Sequence, residues 1–476
     1  MFVAGEWVES ESGERLEATS PATGERIGSV PSGTRGDVQR AIAAATEAWP
    51  RWAALSAFAR ARACERVADA IGGRRDELAR TLTLDQGKPL RSEAYDEVDE
   101  LVQYWHAAAA EATRVEGLMP PSLDAANRIL VYRVPRGVVG VVTPWNWPYT
   151  MPAEVVAPAL AAGNAVVWAP APTTALCAVE LARCVAAADL PAGVFNLVTG
   201  EGPVVGDEIV ANRGTHAVGF IGSIATGHRV AERAAGKALL LEMGGNGPLV
   251  VLDDADLDAA VAATLTASFL CAGQSCTAGE RFLVHEAVHD DYLDRLAAAV
   301  AREVRLGDPF AEETTMGPLN NEPVAAKTEA HVGDAVDRGA ELVAGGRRAD
   351  GFATTLYYEP TVLDRVTDEM DVAREETFGP VVPITTIGSD EEALAIANSS
   401  PYGLLAAVFT RDLRRGLRFA EAVRAGWVNV NESSNYWESH LPFGGRSGSL
   451  SGIGRVGGRF PLETFTELKT VVVNLG

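Results

Sequence analysis

Cysteine is scarce in this 476-residue chain: Cys64, Cys177, Cys184, Cys271 and Cys276 make five, an odd number, and no two stand as Cys-x-x-Cys. That usage indicates neither a disulfide framework nor a thiolate zinc site, so no metal is expected, and it fits a reducing cytoplasmic location. Positive charge is also short, with 41 Lys and Arg against 64 Asp and Glu, a net charge of −23. Such a balance argues against non-specific binding to nucleic acid or to an anionic membrane. No apolar run reaches about eighteen residues without Gly, Pro or charge, which excludes a spanning helix. Met1 to Ser10 carries Glu6 and Glu9 and lacks a basic stretch followed by an apolar one, so no signal peptide is read there. Internal repeats and low-complexity tracts are missing too, apart from Ala-rich helices.

What remains is the composition of a globular enzyme, 47% hydrophobic and 22% charged, long enough for about two or three units in one body. Residues 37–84 read as two amphipathic helices, with Val38, Ile42, Ala45 and Trp49 on one stripe and Cys64, Val67, Ala68 and Ile71 on the next. A turn is expected between them at Trp49-Pro50. A further helix from Ser92 to Ala112 places Val98, Val102 and Trp105 on one face and leaves Asp96, Glu97, Asp99 and Glu100 to solvent.

From Ile129 the period changes. Ile129 to Val134 alternates like a half-exposed strand, and Val138 to Val142 is a continuous apolar run of the buried parallel kind. Strands then alternate with helices as far as Glu242, and again from 249 to about 450, which predicts an α/β chain with a doubly wound parallel sheet. Such sheets bind ligands beyond the carboxyl ends of their strands. Gly222-Ser223-Ile-Ala-Thr-Gly227 follows a strand and opens a helix, though His228-Arg229 replaces the Lys-Ser/Thr of a phosphate loop. Its amides suit a pyrophosphate. On these residues alone, dinucleotide binding and plain turn glycines stand level.

Cys276 is the candidate nucleophile. It lies between Ser275 and Thr277, with Gly273 and Gly279 nearby, whereas structural cysteines usually sit among aliphatics. By burial tendency alone, a free thiol is more often a small core hydrophobe.

Thr143-Pro144-Trp145-Asn146-Trp-Pro, Leu241-Glu242-Met-Gly-Gly, Gly273-Gln-Ser-Cys276-Thr and Glu375-Glu376-Thr-Phe378-Gly-Pro, in that order, resemble the NAD(P)-dependent aldehyde dehydrogenase superfamily over nearly the whole chain. The resemblance implies a Rossmann-like doubly wound cofactor domain at 1–116 and 136–244, and a second α/β catalytic domain at 245–450. It also implies a small β oligomerisation flap from 117–135 and 463–476, and hence a homodimer or homotetramer. Cys276 would attack the aldehyde, Asn146 with the Cys276 amide would form the oxyanion hole, and Glu242 would activate the water that hydrolyses the thioester. NAD or NADP would lie against Pro144, Trp145, Gly222, Ser223, Gly227, Glu376 and Phe378.

The chain departs from the family pattern in three places. The Lys and Glu that usually hold the adenosine ribose are Ala169 and Pro172, so the choice between NAD and NADP stays open. Two positions that often carry a proton-passing Lys and Glu are Val155 and Val456. Glu154 stands where relatives acting on carboxylate-bearing semialdehydes tend to have Arg. With Tyr149, Tyr436, Trp437 and Glu438 it suggests an aromatic-lined mouth with an acidic rim, suited to a neutral or cationic aldehyde, aromatic or medium aliphatic. A solvent-facing Glu154 is an equal reading. A coenzyme-A-acylating enzyme and a catalytically silent relative are the alternatives; Glu242, a base that favours hydrolysis, argues against the first, and an intact Cys276, Glu242 and Asn146 set against the second.

Overall fold

Two sheets organise the chain, which a computed structural model describes over residues 1–476. The first has eight strands in the order Gly452–Ile453, Ala238–Met243, Ala217–Gly222, Val138–Val142, Ala165–Ala169, Phe195–Leu197, Phe2–Val3 and Glu6–Trp7. Its five middle strands are parallel. The Val138–Val142 run is buried along almost its whole length, as a strand covered by helices on both faces must be. Chain order moves from this strand outward through Ala165–Ala169 and Phe195–Leu197, then returns to its other side at Ala217–Gly222. The carboxyl ends of Val138–Val142 and Ala217–Gly222 therefore flank the point where strand order reverses, and loops leaving those ends open a crevice.

The second sheet has seven strands, Glu341–Ala344, Thr361–Asp364, Val381–Ile387, Gly279–His285, Gly247–Val251, Leu405–Phe409 and Trp427–Val430 in spatial order. All pairs are parallel except the first. The α/β class with parallel sheets is as the alternation predicts. The short N-terminal strands, and the pair Arg15–Thr19 and Arg26–Pro31, carry too little periodicity to be read in advance. No helix is long and apolar enough to cross a membrane.

Four local expectations are corrected. The Trp49-Pro50 pair does not break the chain, because the helix Arg35–Ala53 runs through it. Proline there removes one N–H near the C-terminus, and the Ala54 amide still reaches the Pro50 carbonyl at 3.1 Å while Trp52 Nε1 donates to the Leu160 carbonyl at 2.9 Å. The break comes after Ala54, where Ser56 caps the helix Ala57–Gly72.

The helix expected from Ser92 begins as a π-helical turn, Leu90–Ala94, and is α-helical over Tyr95–Ala112. Its acids are not all solvated. Glu97 is buried and paired with buried Lys88 at 2.6 Å, and Glu100 is half-buried. Finally, the two segments expected to form an oligomerisation flap already pair within one chain: Asn127–Pro135 and Thr466–Asn474 run antiparallel from Thr466 opposite Pro135 to Asn474 opposite Asn127. This two-stranded sheet joins neither large sheet and exposes Leu468, Val472 and Leu475.

Candidate active site

The loop leaving Val138–Val142 carries Pro144, Trp145 and Asn146 and is held from beneath. Trp168 Nε1 donates to the Thr143 hydroxyl at 2.8 Å, and Glu97 accepts from the backbone amides of Tyr149 and Thr150 at 3.0 and 3.4 Å. Glu97 thereby supplies the negative charge that the N-terminus of the helix Thr150–Ala161 favours. The Lys88 ammonium lies 3.6 Å from the centroid of the Trp147 ring, so ion pair and indole fix the same loop. Asn146 is 2% exposed and donates from Nδ2 to the Gln274 carbonyl at 2.9 Å. An amide carries two N–H donors, and this bond uses one.

Gln274 belongs to the segment that presents Cys276. The helix Leu257–Phe269 ends in a tight turn, Leu270–Gly273, in which Cys271 and Ala272 take left-handed backbone angles, φ 53° and 52°. Two such residues in succession are costly and persist only where packing compels them. Gly273 shows the compulsion: a side chain there would stand 2.1 Å from the Gly379 carbonyl oxygen. Cys271 is buried behind this turn, accepting from Gln86 Nε2 at 3.3 Å, and does not line the cavity. Cys276, two residues beyond Gln274, does.

That cavity holds about 130 Å³ and brings Cys276 together with Glu242, Glu154 and Trp437. Glu242 is the last residue but one of the strand Ala238–Met243, is 4% exposed, and has no hydrogen-bond partner on either carboxyl oxygen. Burial, then the neighbouring Glu154 carboxyl, pushes Glu242 well above the usual carboxylate range, with Arg455 opposing. Burial, followed by Glu242, Glu376 and Glu154, likewise holds the Cys276 thiol well above its ordinary value. No lysine or arginine lines the cavity.

Glu154 is inside and not on a rim. It is 8% exposed, accepts from the Tyr104 hydroxyl at 3.1 Å, and is raised well above its ordinary value by burial and then by Glu100. Tyr149 does not line the cavity. It sits at the start of its helix with its hydroxyl donating to the Leu78 carbonyl at 3.1 Å, and Trp147, Thr150 and Met151 take the cavity face instead. Tyr436 and Glu438 bond each other at 2.6 Å on the surface, outside the cavity. Glu100 and Phe443 are lining residues that sequence reasoning missed.

Glu376 and Phe378 come from a loop anchored by buried Glu280, which accepts from the Thr377 and Phe378 amides at 2.9 and 3.0 Å. Phe378 takes φ 61° and meets Trp145 edge to face at 5.7 Å. Glu376 accepts from the Gly245 amide at 2.9 Å, and a side chain at Gly244 would stand 2.5 Å from its carboxylate, so the carboxylate occupies a cradle open only to backbone. Pro144 and Gly222 leave adjacent parallel strands, and Ser223 opens the helix Ile224–Arg233 in which Gly227 packs against Met243. A carboxylate for sugar hydroxyls, an aromatic pair and a helix N-terminus together fit a dinucleotide. Ala169 and Pro172 offer it no charge.

A family model described as the aldehyde dehydrogenase family matches residues 7–471. The chain is 38% identical to the NADP(+) succinate-semialdehyde dehydrogenase GabD of Escherichia coli, covering 100% of this chain and 97% of that protein. It is 37% identical to a betaine aldehyde dehydrogenase of Bacillus subtilis, over 100% and 97%. Among solved structures, the betaine aldehyde dehydrogenase of Staphylococcus aureus in complex with NAD+ matches with a TM-score of 0.96 at 34% identity, covering 100% of this chain and 95% of that one.

Proposed function

The chain belongs to the aldehyde dehydrogenase family, and from that premise we propose that it oxidises a neutral or cationic aldehyde to the carboxylic acid with NAD or NADP. The observation that carries the reading is one cavity shared by the Cys276 thiol and the partnerless Glu242 carboxyl. Cys276, in its deprotonated form, adds to the aldehyde carbon, and the carbonyl electron pair moves to oxygen as the carbon–sulfur bond forms. Asn146, oriented by Gln274, keeps an amide hydrogen for the oxygen that gains charge, alongside the Cys276 backbone amide. Glu376, Phe378, Trp145, Pro144 and the Gly222 to Gly227 turn would hold the dinucleotide, whose chemistry when bound would be that of a hydride acceptor, and loss of hydride from the Cys276 adduct would give the thioester. Glu242 then takes a proton from the water that attacks this thioester, and its missing partners leave both oxygens free to do so.

Three carboxyls and no cation in the cavity support the substrate class, since a carboxylate-bearing aldehyde would find no positive partner there to offset its desolvation. Trp147, Trp437 and Phe443 supply apolar walls. A panel of aldehydes assayed with NAD and with NADP tests this: uncharged and cationic aldehydes should give higher kcat/KM than succinate semialdehyde, and equal values would overturn the assignment. Added coenzyme A should not speed turnover, because Glu242 favours water as the acceptor.

For assembly we propose a homodimer or homotetramer built through residues 117–135 and 463–476. Cofactor binding is assigned to 1–116 and 136–244, and catalysis to 245–450. Five free cysteines fit a cytoplasmic location.

A further inference from the structure

Glu242 has a difficulty that its chemistry creates. Once the carboxyl has taken a proton from water it must give that proton up before another thioester can be hydrolysed, and it is 4% exposed with no hydrogen-bond partner. Val155 and Val456, both in the core of the first sheet's domain, are fully buried and cannot carry a proton. The titratable side chains that share its cavity are Cys276, Glu154 and Glu100. Cys276 is the group being released. Two carboxyls remain.

We propose that Glu154 and Glu100 form the outlet through which Glu242 returns its proton to solvent during thioester hydrolysis. The two lie on different helices, Thr150–Ala161 and Tyr95–Ala112, that pack against each other. Their order follows burial: Glu242 and Glu154 are each less than a tenth exposed, while Glu100 keeps part of its surface accessible. The Tyr104 hydroxyl, 3.1 Å from Glu154 Oε1, fixes one oxygen of the middle carboxyl and leaves the other to face the cavity. A cavity of about 130 Å³ has room for several waters to bridge the three groups. Neighbouring charge agrees for the inner two members, since the Glu154 carboxyl raises Glu242 and the Glu100 carboxyl raises Glu154, each after burial, whereas Glu100 itself is raised first by burial and then by Glu97. Glu100 itself is pushed up to about 7, mainly by burial, so it can take and release a proton near neutrality.

The step balances without a co-reactant. Water oxygen bonds to the acyl carbon, the carbon–sulfur bond breaks with its electrons going to sulfur, and the proton from water passes from Glu242 to Glu154, to Glu100 and out. The inference rests on the roles proposed for Cys276 and Glu242.

Its test is the decay of acylated Cys276, followed by rapid-quench mass spectrometry after enzyme, aldehyde and dinucleotide are mixed. Wild type is compared with Glu154→Gln, Glu100→Gln and the conservative Glu154→Asp, each checked for an unchanged thermal midpoint. A ratio of decay rate to acylation rate lowered about tenfold or more in the Gln variants, with decay partly restored in Glu154→Asp and by added imidazole or formate buffer, is the expected result. Decay at the wild-type rate in both Gln variants overturns the relay and leaves Cys276 and Glu242 standing. So does a slow decay that no buffer relieves, which marks a merely structural effect. Failure of the wild type to form the acyl-enzyme removes the underlying reading and the relay with it.

Discussion

Asn146 donates its side-chain N–H to the backbone carbonyl of Gln274 at 2.9 Å, joining the loop after a strand of the first sheet to the turn that presents Cys276 from the second. The amide is thus aimed before any aldehyde arrives. Replacing it by alanine should lower kcat by about a hundredfold to a thousandfold while leaving substrate affinity nearly unchanged, the pattern of a donor used in the transition state. Steady-state kinetics on Asn146→Ala checks this, and a change confined to KM would count against the role.

The loop that carries Asn146 rests on the buried pair of Lys88 and Glu97. Removing one member leaves the other as an uncompensated charge, at a cost of about 3–5 kcal/mol. Glu97→Gln should therefore lower the thermal midpoint sharply and reduce activity in the protein that remains folded. Exposed pairs such as Arg302 with Glu303 should be nearly silent in the same assay.

The working forms of Cys276 and Glu242 are both deprotonated, and their surroundings push both groups upward, burial first and neighbouring carboxyls second. Activity should therefore climb with pH through neutrality into the alkaline range, where an ordinary carboxylate base would level off by about pH 6. A profile of kcat/KM against pH that is flat from 6 to 9, on the scale of a simple ionisation, would contradict the arrangement.

Much of this was legible in the residues. Continuous apolar runs such as Val138 to Val142, and the alternation around them, fix strands whose carboxyl ends carry Asn146 and Glu242. What periodicity does not encode is which way a side chain turns at a helix start. Tyr149 is drawn down to Leu78, and Thr150 and Met151 face the cavity in its place. Glu97 and Glu100 stand in an acidic run that reads as a solvated face, and their burial depends on Lys88 and on a cavity formed by distant segments. Pro50 lies within a helix because tertiary bonds to Trp52 outweigh one missing N–H.

The paired strands Asn127–Pro135 and Thr466–Asn474 leave Leu468, Val472 and Leu475 exposed along a free edge, which is costly for a lone chain. Val472→Asp should shift the mass measured by light scattering toward the monomer. A wild-type protein that is monomeric at micromolar concentration would remove the proposed assembly.

The most direct measurement is the mass of the peptide bearing Cys276 in the variant Glu242→Gln, quenched after mixing with an aldehyde substrate and dinucleotide. Loss of the base should let the thioester accumulate, so the peptide should gain the mass of one acyl group, retained in a Cys271→Ala background, while the peptides bearing Cys64, Cys177 and Cys184 stay unmodified. An unmodified Cys276 in a variant that still reduces the dinucleotide would contradict the account.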